Sequence, residues 1–129
     1  MIKKIKIGGF EVKNDNKLFL IAGPCVIENR DHALYHAKMI KQICEELSLD
    51  FVFKSSFDKA NRTNINSSRG VGIEKGLDIL TEIKNSLNIP VLTDIHESYQ
   101  CNLLKEVVDI IQIPAFLCRQ TDLLLNASN

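Results

Sequence analysis

The stretch LFLIAGP, residues 18–24, decides the fold of this chain. A continuous apolar run that ends at a Gly-Pro turn is typical of a strand buried on both faces of a sheet. Further runs of this character are predicted as strands at residues 51–53, 90–93 and 108–113. Each of these runs is followed by polar residues, so the strands are expected to end where chemistry is possible.

Amphipathic helices are predicted between the strands. From residue 30 to residue 47, apolar side chains recur at spacings of three and four, which keeps one helix face against a core. Further helices are predicted over residues 73–87, 97–107 and 121–127. Strict alternation of strand and helix indicates an α/β fold with a parallel sheet and right-handed crossovers.

The first residues of the chain stand outside this alternation. Residues 1–12 are predicted as a β-hairpin that turns at Gly8 and Gly9, and residues 18–129 as the alternating part of one domain. Two architectures fit: a doubly wound open sheet, or the first half of a TIM-type (β/α)8 barrel. Length favours the open sheet, whereas polar residues at successive strand ends favour the barrel.

The composition excludes several classes of function. The chain has 129 residues, 45% of them hydrophobic, with a formal net charge of zero and a pI of about 6.8. Proteins that bind polyanions are usually basic, so nucleic acid is a poor candidate partner. The basic residues 1–7 lack the apolar stretch of a signal peptide, and no run is long enough to span a membrane. A soluble cytoplasmic protein is expected.

The four cysteines need separate interpretations because none forms a Cys-x-x-Cys pair. Without a secretory signal, disulfides are not expected. Cys44 lies on the apolar stripe of the first helix and Cys101 on a later helix, so both are predicted to fill the core. Cys118 stands beside Phe116 and is expected to pack. Cys25 follows a strand and a Gly-Pro turn, a position where a thiolate is suited to binding a metal.

Cationic residues follow the predicted strands although the chain is neutral overall. Lys54 follows the second strand, Lys59 and Arg62 lie in the long polar loop after it, and Arg119 follows the fourth strand. In parallel α/β proteins these points share one rim of the sheet, where ligands bind. Converging cations suit a ligand with more than one phosphate or carboxylate. A solvated loop face is the alternative for Lys59 and Arg62.

Three polar residues at the ends of the third and fourth strands complete this candidate site. Asp94, His96 and Gln112 suit the binding of hydroxyl groups or the movement of protons. Structural interpretations compete with this one, since Asp94 could cap the following helix and His96 could form a structural hydrogen bond there. The residues alone leave both alternatives open.

Three longer motifs contain these residues and resemble those of one enzyme family. They are FKSSFDKANR at residues 53–62, TDIHE at residues 93–97 and IQIPAFLCRQTDLL at residues 111–124. Together they resemble the 3-deoxy-D-manno-octulosonate-8-phosphate synthases, also called 2-dehydro-3-deoxyphosphooctonate aldolases. The resemblance implies a (β/α)8 barrel whose N-terminal hairpin closes its bottom.

The resemblance also implies a reaction. The family condenses phosphoenolpyruvate with D-arabinose 5-phosphate and water, which yields 3-deoxy-D-manno-octulosonate 8-phosphate and inorganic phosphate. This transferase reaction supplies a precursor of lipopolysaccharide in Gram-negative bacteria, and a homo-oligomer is expected. Both substrates are anions that repel each other, which is consistent with cations at the strand ends.

The matching motif positions imply roles for individual residues. Lys54 and Lys59 would hold the phosphate and carboxylate of phosphoenolpyruvate, and Asp94 and His96 would position the carbonyl and hydroxyls of the sugar. The resemblance implies catalytic roles for Lys59, Asp94 and His96. It implies substrate binding by Lys54, Ser55, Lys59, Asn61, Arg62, Thr63, Asp94, His96, Gln112 and Arg119. Among these, Asn61, Arg62 and Thr63 would hold the phosphate of the sugar.

A metal is implied as well. In the metal-dependent class of the family, a cysteine ligand follows Gly-Pro, as Cys25 does here. The resemblance therefore implies that Cys25 binds a divalent transition metal such as Zn, Fe or Mn, with a His, a Glu and an Asp outside this chain as the other ligands. The chain departs from the family at residues 63–66, where TNIN replaces the usual Ser-Ser-Ile-His. The hydroxyl of Thr63 is kept, but the His is lost.

Length separates the remaining alternatives. A (β/α)8 barrel needs about 250 residues, so the 129-residue chain is expected to be incomplete and inactive as an isolated monomer. One alternative is 3-deoxy-D-arabino-heptulosonate-7-phosphate synthase, which usually has Lys-Pro-Arg-Thr where residues 59–63 read KANRT. The other is a non-catalytic half-barrel that folds by pairing with a second copy.

Overall fold

The computed structural model of the protein describes residues 4–15 and 17–129, so residues 1–3 of the predicted hairpin lie outside the described part. The described strands are β1 (Ile5–Ile7), β2 (Phe10–Val12), β3 (Phe19–Ala22), β4 (Asp50–Lys54), β5 (Val91–Asp94) and β6 (Ile110–Gln112). The helices are α1 (Arg30–Glu46), α2 (Ile73–Leu87), α3 (Gln100–Leu104) and α4 (Thr121–Ser128), and a 3₁₀ turn spans Ala115–Leu117.

The strands β3 to β6 form one parallel sheet in the order in which they occur along the chain. Parallel neighbours need a crossover connection of a dozen or more residues, usually a helix. Here α1 connects β3 to β4, and α2 connects β4 to β5. The predicted alternation of strand and helix is therefore confirmed, and α2 has the predicted bounds.

One face of the sheet carries the helices. Phe51 and Phe53 of β4 and Val91 of β5 are buried, with exposed fractions of 6%, 0% and 0%. Burying a large apolar side chain stabilises a fold by about 1.5–3 kcal/mol. The partners of these side chains lie on α1 and α2: Ala33, Leu34, Ala37, Cys44, Ile79, Leu80 and Ile83. Within residues 4–15 and 17–129, no helix combines the length and apolarity needed to cross a membrane.

The other face of the sheet carries the hairpin. β1 and β2 pair antiparallel, as predicted. Ile7 of the hairpin packs with Val52 of β4 and Leu92 of β5. Because side chains alternate along a strand, Lys54 and Asp94 come two residues later on this same face. The face is therefore apolar where the hairpin covers it and polar at the carboxyl ends of the strands.

The prediction that the first strand is buried on both faces is wrong. Leu20 and Ile21 of β3 are 37% and 43% exposed, and Leu18 lies before the strand with 83% exposed. Among the described strands β3 pairs with β4 alone, so it forms an edge of the sheet. An apolar run determines that a strand forms, but only its neighbours determine how far that strand is buried.

The helix predicted over residues 97–107 is shorter than expected and spans Gln100–Leu104. The side-chain Oε1 of Gln100 accepts hydrogen bonds from the backbone N–H groups of His96 (2.8 Å) and Glu97 (3.2 Å), which holds the preceding residues in a turn. At the other end, the carbonyl of Leu104 accepts from both Val107 and Val108 at 2.9 Å, which turns the chain towards β6.

The cysteines follow the sequence prediction in part. All four thiols are free, and Cys44 and Cys101 are buried with 1% and 4% exposed, as predicted. Burial raises the pKa of both thiols. Cys118 is exposed, so its predicted packing is wrong. It follows the 3₁₀ turn, whose Phe116 is itself 93% exposed and offers no buried surface.

The turn after β3 approaches the end of β4 at backbone distance. A Cβ atom built on Gly23 would lie 2.0 Å from the carbonyl oxygen of Lys54. Real Cβ atoms never come so close to a backbone oxygen, so only glycine fits this position without a shift of one strand end. Gly23 therefore allows the residues after β3 and those after β4 to lie side by side.

We expect Gly23→Ala to lower the free energy of unfolding by about 1–3 kcal/mol, because the added methyl group overpacks two strand ends. The matched control is Gly9→Ala, since a Cβ there meets nothing within 4 Å. Urea unfolding of the two variants measures the difference. Equal free energies of unfolding for the two variants would show that the two strand ends can move apart without a loss of stability.

Candidate functional site

The loops after β3 and β4 are joined to each other at the rim of the sheet. The hydroxyl of Ser55 donates to the carbonyl of Pro24 at 2.8 Å, and the N–H of Ile27 donates to the carbonyl of Ser56 at 2.9 Å. Ser55 and Ser56 are fully buried. Ser55, predicted to bind substrate, thus has its hydroxyl bonded to the neighbouring loop, and its role towards a ligand stays a prediction.

Strand register places three predicted site residues on one face. Lys54 pairs with Leu92, and Asp94 pairs with Gln112 in the parallel ladders. Leu92 and Asp94 are two residues apart in β5, so their side chains and those of their partners Lys54 and Gln112 lie on one face of the sheet. The hairpin covers the other end of this same face. Lys54 is half-buried, and its Nζ donates to the hydroxyl of Ser56 at 3.3 Å. This face thus carries a cation, a carboxylate and an amide.

Asp94 and His96 form a buried pair in which one polar atom of each side chain has no hydrogen-bond partner among the described residues. Oδ2 of Asp94 lies 3.2 Å from Nε2 of His96, and the two side chains are only 9% and 14% exposed. The other polar atoms of the pair, Oδ1 of Asp94 and Nδ1 of His96, are buried without a hydrogen-bond partner in the described protein. Buried polar atoms are rarely unpaired, so each of these two atoms is expected to find a polar partner outside the described protein.

Capping of α3 by Asp94 is not observed, whereas His96 has a structural hydrogen bond through its backbone N–H, so its role towards a ligand stays a prediction. Gln100, and not Asp94, accepts the N–H groups at the start of α3. The ring of His96 faces Asp94 and meets the edge of Phe57, with ring centroids 6.0 Å apart at 77°. Phe57 is 1% exposed. The imidazole is therefore held between a carboxylate and a core aromatic ring.

The long loop between β4 and α2 carries the residues predicted to bind the sugar phosphate. Asn61, Arg62 and Thr63 are exposed there, and Lys59 at the start of the loop is half-buried. Nε of Arg62 donates to the carbonyl of Ser68 at 3.0 Å, which folds the loop back on itself. These groups belong to the loop that follows β4, whereas Lys54 is the last residue of the strand itself.

An ion pair that the sequence did not predict closes this loop. Nε of Arg69 donates to Oδ1 of Asp58 at 2.8 Å, and Nη2 donates to Oδ2 at 2.5 Å. This hydrogen bonding lowers the pKa of the Asp58 carboxyl, and the positive charge of Arg69 acts in the same direction. The two residues are eleven positions apart in an irregular loop, so no periodicity could have revealed their contact.

The remaining predicted residues lie at the same rim without forming a closed site. Cys25 after β3, Gln112 at the end of β6 and Arg119 after the 3₁₀ turn are exposed. Among the described residues, no group of three or more His, Cys, Asp or Glu could hold a metal. A transition-metal site needs several such ligands, so these residues do not make one by themselves.

Two surface cavities lie away from this rim. A cavity of about 300 Å³ lies near the turn of the hairpin, lined by Gly8, Gly9, Lys84, Asn85, Asn88, Ile89, Pro90 and Asp109. A second, of about 440 Å³, lies between α1 and α2, lined by Arg30, Asp31, Leu34, Tyr35, Lys38, Glu82, Ser86 and Leu87. Neither cavity contains a residue predicted to bind substrate.

Comparison with known proteins gives consistent relatives. The model of the DAHP synthetase I family matches residues 3–129. A protein of Rickettsia typhi is 55% identical over 128 residues, covering 99% of this chain and 47% of its own length. Proteins of Rickettsia prowazekii and Rickettsia felis are 53% and 51% identical over the same share of this chain, which covers 46% and 47% of their lengths. All three are named 2-dehydro-3-deoxyphosphooctonate aldolase. The chain spans about half the length of these curated relatives.

We expect Asp58→Asn to lower the free energy of unfolding by about 0.5–1 kcal/mol at pH 7. The folded pKa of Asp58 is depressed, so its contribution is present above the unfolded pKa of about 3.9 and is lost as the pH falls through the folded value. Urea unfolding at pH 7 and pH 3 measures this loss. Asp31→Asn, at a side chain 90% exposed, is the control and should change little. A difference in stability that is as large at pH 3 as at pH 7 would contradict the assignment.

Proposed function

The chain belongs to the DAHP synthetase I family, and we propose that its protein condenses phosphoenolpyruvate with D-arabinose 5-phosphate and water. The products are 3-deoxy-D-manno-octulosonate 8-phosphate and inorganic phosphate. The observation that carries this proposal is the buried Asp94–His96 pair, which keeps two unpaired polar atoms on the lysine-bearing rim. The names of the relatives agree with it.

The first task of such a site is to bring two anions together. Two unit charges 4 Å apart interact by about 4 kcal/mol at the effective dielectric of a protein surface. We assign Lys54 and Lys59 to the phosphate and carboxylate of phosphoenolpyruvate, since both are half-buried at the rim. Partial burial strengthens each charge contact relative to water, and fixed cations offset the repulsion between the substrates.

The second task is to orient the sugar. We assign its carbonyl and hydroxyl groups to Asp94 and His96, whose unpaired Oδ1 and Nδ1 can accept or donate hydrogen bonds there. We assign its phosphate to Asn61, Arg62 and Thr63 on the exposed loop. An extended sugar phosphate would then reach from the buried pair outwards to the loop. Gln112 and Arg119 would complete the site beside them.

We also propose that the sheet is the first half of a (β/α)8 barrel. Sequential strand order, helices on one face and a hairpin under the other support this architecture. In such barrels the carboxyl ends of the strands carry the active site, where Lys54, Asp94 and Gln112 lie. The other half would come from a further part of the protein. A homo-oligomeric enzyme in the cytoplasm is part of the same proposal.

The alternative reaction can be distinguished by counting carbon atoms. The product of 3-deoxy-D-arabino-heptulosonate-7-phosphate synthase has seven carbons, of which phosphoenolpyruvate supplies three, so that enzyme needs a four-carbon sugar phosphate. The family model carries the name of this alternative, but the relatives at 51–55% identity are named for the eight-carbon product. Release of phosphate from phosphoenolpyruvate with arabinose 5-phosphate supports our proposal. Turnover with erythrose 4-phosphate alone would reject it.

We expect Arg62→Ala in the complete protein to raise the KM for arabinose 5-phosphate about tenfold or more. A charge-assisted hydrogen bond contributes about 1.5 kcal/mol or more, and the KM for phosphoenolpyruvate should change little. Steady-state kinetics with each substrate varied in turn measure this split. Arg30→Ala, at an exposed arginine on α1, is the control. An unchanged KM for the sugar phosphate would remove Arg62 from the site.

For the metal, we propose that Cys25 supplies one ligand and that the other ligands lie outside residues 1–129. A bound metal would supply Lewis-acid chemistry to the reaction. The thiol of Cys25 is free and exposed at the rim, as a ligand that meets another part of the protein should be.

We expect the complete protein to contain about one transition-metal ion per active site, held in part by the Cys25 thiolate. Cys25→Asn should lose this metal, as measured by elemental analysis after dialysis. Cys118→Ser is the matched control because Cys118 is the other exposed thiol. Retention of the metal by Cys25→Asn, or full activity after exhaustive chelation, would contradict an essential metal at Cys25.

A further inference from the structure

We propose that Arg69 is a positioning residue, whose paired hydrogen bonds to Asp58 hold the loop of residues 59–68 so that Asn61 and Arg62 meet the sugar phosphate. This inference rests on the proposed function and deepens it. The guanidinium of Arg69 bonds to Asp58, and not to a side chain that we assign to substrate binding. It acts through the shape of the loop.

The base of the loop is closed by backbone contacts as well as by the ion pair. The N–H of Lys59 donates to the carbonyl of Arg69 at 2.6 Å, and the N–H of Gly72 donates to the carbonyl of Phe57 at 3.1 Å. The guanidinium of Arg69 and the carboxylate of Asp58 add two parallel hydrogen bonds beside this ladder. The two ends of the loop are therefore joined both through the backbone and through side chains.

The segments that flank the loop are fixed in the core. Phe57 is 1% exposed. A Cβ on Gly76 would lie 2.4 Å from Cβ of Phe57, and one on Gly70 would lie 2.5 Å from the carbonyl oxygen of Phe57. Such close approaches require glycine at both positions and hold the two flanking segments against Phe57. The ion pair stands at the border between this rigid base and the exposed residues 60–69.

An exposed loop needs such a restraint to bind an anion well. Ordering a mobile segment on binding weakens affinity, and a segment ordered beforehand avoids this loss. Two hydrogen bonds from a planar guanidinium fix direction as well as distance, which a lysine ammonium does not. Asp58 directly precedes Lys59, so a restraint on Asp58 also fixes the start of the segment that carries Lys59, Asn61 and Arg62.

The test compares Arg69→Gln, Arg69→Lys and Asp58→Asn in the complete protein. The matched control is Arg30→Gln, because Arg30 makes a similar pair of hydrogen bonds to Glu82 between α1 and α2, away from the loop. Arg30 and Arg69 are similarly exposed, at 54% and 60%. Two readouts are used: the KM values for both substrates, and hydrogen exchange in the peptide that contains the Lys59 amide.

We expect Arg69→Gln to raise the KM for arabinose 5-phosphate about tenfold, which corresponds to 1.4 kcal/mol. The KM for phosphoenolpyruvate should rise less, and exchange at Lys59 should become faster. Asp58→Asn should act in the same direction, and the double variant should add little to either single one. Arg69→Lys should recover only part of the loss. Arg30→Gln should change neither readout.

Two results would overturn the inference. One is faster exchange at Lys59 with both KM values unchanged, which would make the ion pair purely structural. The other is equal effects of Arg69→Gln and Arg30→Gln on both readouts. Binding of inorganic phosphate separates this inference from the proposed function. If the protein does not use arabinose 5-phosphate, weaker phosphate binding by Arg69→Gln still supports positioning, and equal binding rejects it.

Discussion

The parallel pairing of β4 with β3 and β5 is the interaction on which the rest of the structure depends. Side chains of β4 alternate between two environments: Phe51 and Phe53 pack against the helices, and Val52 packs against the hairpin. A slip of one residue in this pairing would exchange the two faces. The same register aims Lys54 at the rim, so the hydrophobic core and the candidate site are fixed by one set of backbone hydrogen bonds.

The candidate site divides into a rigid part and an exposed part. Lys54, Asp94 and His96 sit at or near the ends of paired strands, where burial restricts their side chains. The loop that carries Arg62 is exposed and has contacts at its base, among them the Asp58–Arg69 pair. This division suits two anionic substrates of different length, since a short one can be bound at the strand ends and a long one can extend to the loop.

The fold, and not the overall composition, determines which charged side chains lie near one another at the rim. The chain has 16 basic and 16 acidic residues, so its net charge attracts no anion from a distance. Parallel strands nevertheless bring residues that are far apart in sequence, such as Lys54, Asp94 and Gln112, to one rim. Two of the acidic residues near this rim have partners: Asp58 is bonded to Arg69, and Asp94 lies 3.2 Å from His96. The charge next to each strand end is therefore set by spatial neighbours, although the net charge of the chain is zero.

The sequence by itself determined the order of strands and helices, the hairpin, and the strand ends that carry Lys54 and Asp94, because periodicity and turn residues are local signals. Only the tertiary structure decided how far β3 is buried, where Gln100 starts α3, and that Asp58 meets Arg69. Each of these depends on which group lies opposite in space. A pattern along the chain gives the period of an element, whereas burial, capping and ion pairing are set by its neighbours.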